Sequence, residues 1–243
     1  MSKTHIIADM ACSHDGDVNL AKKIIDGAGS ADSIQFQIWD FSELKNPDKE
    51  LAEIELSQTE WAELVKYTRA QFPSMEIIAC VYEARSVDFC EEIGIDAYKL
   101  HHTSLTYSAF VKHVANTGKR INMTVGFWGP NEIGHKLEWI PDSPIWLMAG
   151  YQNFPTLPGD ISLDYIKHLL KLFELPVGYQ DHSDANTIEA YTLPIYTMGL
   201  GATIQEKHIT HDRALKGYDH ESALNPDEFE LFVERIRTVD KSK

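Results

Sequence analysis

Eight times along this chain a short run of apolar and β-branched residues gives way to a longer segment whose apolar residues recur at helical spacing. The short runs occupy residues 6–11, 33–39, 76–82, 97–102, 120–126, 144–152, 176–183 and 203–210. The helical segments fall at 19–29, 57–72, 84–94, 106–118, 131–138, 162–173, 186–199 and 227–239. Strict alternation of this kind builds parallel strands joined by crossover helices, and eight such units close into a (β/α)8 TIM barrel. The alternative, an open doubly wound sheet, lacks its usual mark, because no GxGxxG or GxxxxGK[ST] loop follows any strand. Local signals agree with the helix starts: Ser57 stands three residues before Glu60, a capping-box spacing, and Pro226 opens the last helix.

At 243 residues with 43% hydrophobic content the chain suits one barrel domain spanning 1–243. It shows no signal peptide and no apolar run long enough to cross a bilayer, so a soluble, cytoplasmic protein without membrane contact is expected. Three cysteines, Cys12, Cys80 and Cys90, without CxxC spacing argue against a disulfide framework. The 37 acidic and 22 basic residues leave a net charge of −15, which repels polyanions and excludes nucleic acid as a partner.

In a TIM barrel the chemistry lies at the C-terminal ends of the strands. Two tails there carry most of the information: 178–183, reading GYQDHS, and 206–210, reading EKHIT, with Asp219-His220 close behind. His182 and His208 end successive strands, and two neutral imidazoles with Glu206 or Asp219 beside them form a plausible shell for a borderline divalent metal. A lone histidine is more often a satisfied, half-buried polar residue; two at equivalent strand ends reverse that preference. Lys99, flanked by residues that suit a buried strand, is expected to point into the barrel, where its ammonium requires an anion. Of the neighbours His101 and His102, alternation turns at most one toward the mouth. The surrounding loops add His14, His211 and His220.

The run 8–17, reading ADMACSHDGD, the two tails, and the run 212–220, reading DRALKGYDH, together resemble the sialic acid synthase family across nearly the whole chain. That resemblance implies condensation of phosphoenolpyruvate with an aldose such as an N-acylated amino sugar, giving a 2-keto-3-deoxy sugar acid. It implies that His182 and His208 hold the divalent metal, manganese first, with magnesium, cobalt or zinc as alternatives. It places Asp219 near the acceptor aldehyde, Asp15 at the acceptor or water site, and Lys99 on the donor's phosphate or carboxylate. A homodimer is expected from the same source.

Departures accompany the matches. The family's Lys-x-Gln on the second strand reads Gln35-Phe36-Gln37 here, so one phosphate-binding charge is missing. A serine-containing loop is replaced by His101-His102-Thr103, a serine by Gln180, a Thr-Pro pair by Cys80-Val81, and an Asn and Tyr by Gln152 and Phe154; Thr124 keeps its expected hydroxyl. The family's C-terminal antifreeze-like domain is not expected, because the sequence stops at Lys243. Gln35, Gln37, His101, His102, Thr124, Gln152 and Gln180 are therefore the candidate substrate-binding residues. A metal-dependent lyase, aldolase or isomerase that does not use phosphoenolpyruvate is the competing function, favoured by the lost phosphate contacts. A degenerate, non-enzymatic barrel would be expected to lose His182, His208 or Asp219, and all three are present.

Overall fold

The computed structural model describes residues 3–40, 49–215 and 217–242; Lys216 of the 212–220 run lies outside them. Eight parallel strands close into a barrel in sequence order, β1 pairing with both β2 and β8. In chain order the elements are β1 (His5–Asp9), α1 (Val18–Gly27), β2 (Ser33–Ile38), α2 (Lys49–Glu53), α3 (Gln58–Gln71), β3 (Glu76–Val81), α4 (Ala84–Ile93), β4 (Ala97–Leu100) and α5 (Ser108–Ala115). They continue with β5 (Arg120–Thr124), α6 (Pro130–Leu137), β6 (Ile145–Gly150), α7 (Asp164–Phe173), β7 (Val177–Asp181), α8 (Glu189–Leu200), β8 (Ile204–His208) and α9 (Pro226–Ser242).

All eight expected strands form, each ending one or two residues before the expected limit, because the chain peels into its loop as soon as ladder pairing stops. The short helix α2 was not expected from the sequence. Ser57 caps α3 as its spacing indicates: its hydroxyl accepts from the Glu60 amide while Glu60 reaches back to the Ser57 amide. Asp17 caps α1 by accepting from the amides of Asn19 and Leu20.

The main core lies between barrel and helices, where Ile6, Phe36, Ile77, Tyr98, Met123 and Tyr179 pack outward against helix residues such as Ile24, Leu64 and Phe232. Inside the barrel only a thin apolar layer forms, from Ile7, Ile78, Ala97, Met148 and Ile204. Below it Glu76 receives a bidentate bond from Arg120 at 2.6 and 2.7 Å, while Arg120 lies 3.7 Å over Trp146 and plugs the N-terminal mouth. Above the apolar layer the interior turns polar, and the site begins there.

Candidate active site at the C-terminal mouth

Period-two alternation dictates which side chains enter the barrel. From β1 the inward series is Ile7 then Asp9; from β4, Ala97, Lys99 and His101; from β7, Gln180 then His182; from β8, Ile204, Glu206 and His208. These residues meet at two levels.

The lower level is a buried charge network. Lys99 Nζ donates to Glu206 Oε1 at 2.6 Å and to Asp9 Oδ2 at 3.2 Å, and all three side chains are at most 4% exposed. Gln180 donates to the same Glu206 oxygen at 2.8 Å, and Gln35 donates to Asp9. Burial acts to lower the Lys99 pKa, but Glu206 and Asp9 outweigh it and raise it, so the ammonium keeps its proton. Burial raises the Glu206 carboxyl against the pull of Lys99. The anion that Lys99 requires is therefore supplied by the protein itself. That corrects the expectation of a lysine awaiting a substrate anion alone, and it removes Glu206 Oε1 from the set of free metal donors.

The upper level is a cavity of about 260 Å³ lined by Lys99, His182, His208 and Asp219, with Gln37, His101, Gln152, Asp9, Cys12, Leu51, Cys80, Tyr82, Phe154 and Tyr218 completing its wall. The rings of His182 and His208 lie 4.8 Å apart, and Phe154 stacks on His208 at 5.5 Å with an interplanar angle of 16°. His182 Nδ1 donates to the Tyr151 carbonyl at 2.5 Å, which directs the Nε2 lone pair toward the cavity. Burial drives the pKa of both rings well down, helped at His182 by His208 and at both by the Lys99 and Lys207 charges. Both rings are therefore neutral donors. His208 Nδ1 is buried without a hydrogen-bond partner.

Neutral imidazoles with one orphaned nitrogen and Asp219 across the cavity suit a borderline divalent cation. Among the described residues no three His, Cys, Asp or Glu side chains converge tightly enough to enclose an ion. An ion held by His182 and His208 would complete its shell with water and substrate oxygens, the open coordination that catalytic metals use.

Asp219 sits at a left-handed φ of 63° and accepts from the Cys12 amide. Burial, followed by the Asp9 charge, pushes its carboxyl up to about 6. A carboxyl protonated more readily in the folded than the unfolded chain makes stability fall as pH rises from about 4 through 6. Asp219→Asn is accordingly expected to raise stability at pH 8 by about 2 kcal/mol, a figure held down by partial solvent contact, and to have little effect at pH 4. Urea melts at the two pH values check it; equal ΔΔG at both contradicts it.

His101 faces the mouth: its Nε2–H donates to Gln152 Oε1 (2.9 Å), leaving Nδ1 to accept from the Thr103 hydroxyl (3.0 Å). Its neighbour His102 turns away and packs against Phe127 at 4.7 Å. Burial lowers His101 to about 4, so near neutral pH it is a neutral imidazole rather than an imidazolium. Cys12 and Cys80 line the wall as protonated thiols, burial pushing Cys80 up to about 12.

Asp15, Gln35, His102, Thr124 and Gln180 do not line the cavity. Asp15 stands behind it, 3.4 Å from His220 Nε2. Gln35 and Gln180 stand level with Asp9 and Glu206 in the strand register and donate to those two carboxylates. Thr124 is fully buried with its hydroxyl unpartnered. Conversely, Asp9 and Phe154 line the cavity and were not among the candidates. Asp9 had a signal, since it is an inward acid one layer above Ile7 at the depth where a buried lysine needs a counter-charge. Phe154 had one too, since it stands where the family has a tyrosine after the sixth strand.

A closed (β/α)8 barrel whose C-terminal mouth brings together two neutral histidines, a buried lysine and an elevated carboxyl is the architecture of a small-molecule enzyme. The chain belongs to the NeuB family, whose model matches residues 23–243. It is 32% identical to an uncharacterized protein of Methanocaldococcus jannaschii, over 98% of this chain and 71% of that one. It is 27% identical to the N,N'-diacetyllegionaminic acid synthase of Campylobacter jejuni, over 100% of this chain and 78% of that enzyme. Among solved structures, the N-acetylneuraminic acid (sialic acid) synthetase of Leptospira borgpetersenii superposes with a TM-score of 0.90 at 27% identity, covering 99% of this chain and 85% of that one. No helix among the described residues is long and apolar enough to cross a membrane.

Proposed function

We propose that this chain is a metal-dependent synthase that condenses phosphoenolpyruvate with an aldose, of the amino-sugar type, to a 2-keto-3-deoxy sugar acid. The observation that carries the reading is the meeting of His182, His208, Lys99 and Asp219 around one cavity in a NeuB-family chain. His182 and His208 would hold a divalent ion, whose contribution would be Lewis-acid polarisation of the acceptor carbonyl. Carbon 3 of the enol then forms a bond to that carbonyl carbon, water adds at carbon 2, and the carbon–oxygen bond to phosphate breaks.

The protein's own part is positional and electrostatic. Lys99, at the cavity floor, presents one N–H to the donor while keeping its two internal carboxylates in place. Asp219, its carboxyl pushed up to about 6, can take up a proton and pass it to the alkoxide that forms at the acceptor. Gln37, His101 and Gln152 supply neutral hydrogen bonds where the family uses a lysine and hydroxyls, and Asp15 acts from behind through His220. The enzyme works in the cytoplasm and as a homodimer in this reading.

One observation favours the second reading, a lyase or aldolase without phosphoenolpyruvate: Lys99 is already paired with two carboxylates, and Gln35 stands where the family carries its second lysine. Incubation with manganese, phosphoenolpyruvate and a panel of aldoses separates the two. Phosphate release that depends on one class of aldose is the expected result; cleavage of 2-keto-3-deoxy acids with no phosphate chemistry would support the lyase instead.

A further inference from the structure

On the outer face of the barrel, directly behind the two histidines, Lys207 Nζ donates to Asp181 Oδ2 at 2.6 Å, and both side chains are fully buried. The proposed reaction makes no use of this pair, since both residues point away from the cavity. Asp181 and Lys207 are register partners in the β7–β8 ladder, and each immediately precedes one of the cavity histidines. Lys207 also donates to the Ser183 carbonyl at 3.2 Å, so it grips β7 on both sides of His182. The Asp181 carboxylate accepts further bonds from the Ser183 hydroxyl at 2.8 and 2.9 Å and from the Tyr179 hydroxyl at 3.1 Å. The His182 carbonyl is in turn held by the Thr156 amide at 2.8 Å and the Ser222 hydroxyl at 3.0 Å.

A buried ion pair is a poor way to gain stability, since apolar residues of similar volume commonly serve as well or better. What an ion pair with short, directional bonds does achieve is a fixed geometry. Here the geometry fixed is the spacing of two strand ends at the point where each delivers an imidazole.

We propose that Asp181 and Lys207 are positioning residues that set the distance between His182 and His208 and thereby the affinity of that pair for a divalent ion. The proposal rests on the metal-binding reading given above. Groups that orient metal ligands from outside the coordination sphere typically account for about 10–100-fold in metal affinity.

The test is a titration of the metal-free full chain with Co2+, followed by its visible absorption, beside a thermal melt of the same metal-free sample. Wild type, His208→Ala, the volume-conserving double variant Asp181→Leu/Lys207→Met, and Ser183→Ala are compared. Ser183→Ala removes only one donor to Asp181 and keeps the test open if the double variant does not fold. Expected are tight binding by wild type, loss of it in His208→Ala, and about 10–100-fold weaker binding in the double variant with an unchanged melting temperature. Ser183→Ala should weaken binding several-fold. Wild-type affinity in either folded outer-face variant overturns the positioning role while leaving the metal reading intact. Failure of wild type to bind Co2+ overturns both.

Discussion

His182→Ala and His208→Ala are each expected to abolish stoichiometric divalent metal and to reduce turnover on the order of a thousandfold or more, while the barrel stays folded. The rate effect follows from losing several kcal/mol of charge stabilisation at the acceptor carbonyl. The fold is expected to survive because both rings sit at the polar mouth rather than in the apolar core, and burying a neutral imidazole contributes little stability of its own. Elemental analysis after dialysis, with circular dichroism melts of the same samples, checks the expectation. Full metal occupancy in the double alanine variant would contradict it.

The second large effect is expected at Lys99. Lys99→Met removes the one ammonium shared by Asp9 and Glu206 and leaves two carboxylates facing each other at the barrel floor, 0% and 1% exposed. Breaking a buried ion pair on one side typically costs about 3–5 kcal/mol. The penalty should be largest at pH 8 and shrink toward pH 5, because a carboxylate deprived of its counter-charge takes up a proton and stops repelling its neighbour. Adding Glu206→Gln to Lys99→Met should restore much of the stability but none of the activity. Denaturant melts of the single and double variants at both pH values decide this. A Lys99→Met protein as stable as wild type at pH 8 would mean that the floor network is not an ion pair in solution.

These two sites also show what the sequence revealed and what it withheld. Eight strands, their order and their closure were readable because each signal is local: a run of apolar residues, a cap such as Ser57 with Glu60, a proline at the start of α9. The pairing of His182 with His208 was readable because the two residues occupy equivalent ends of successive strands, and parallel pairing makes successive strands neighbours.

The partners of Lys99 were not readable in the same way. Asp9 and Glu206 lie 90 and 107 residues away, and only barrel closure, which joins β1 to β8, brings both to β4's inward face. The direction of Lys99 followed from alternation; the identity of its anion required the layer spacing across the barrel. Alternation carried past the end of β4 also separates His101, which faces the cavity, from His102, which packs at a tilt against Phe127. The turn of Asp15 follows β1 closely in sequence, and its backbone is left-handed, φ 48°, with the carboxylate 3.4 Å from His220 Nε2.

The substitutions within the family frame have a common physical sense. Gln35 and Gln180, which stand where the family has a lysine and a serine, donate to Asp9 and Glu206 and so neutralise no charge. The floor is held by one cation among two acids, and a donor entering above it meets neutral amides and an imidazole on the wall. Charge at the donor must then be balanced chiefly by the metal side of the cavity, which makes the His182–His208 pair the centre of the account.

The measurement that tests this most directly uses phosphoenolpyruvate labelled with 18O at the oxygen bridging carbon 2 and phosphorus, incubated with manganese-loaded protein and the responding aldose. Condensation with carbon–oxygen cleavage predicts that the label leaves with inorganic phosphate, one phosphate per 2-keto-3-deoxy acid formed, and that both products disappear in His182→Ala. Retention of the label in the keto acid, or no aldose-dependent consumption of phosphoenolpyruvate under any divalent metal, would contradict it.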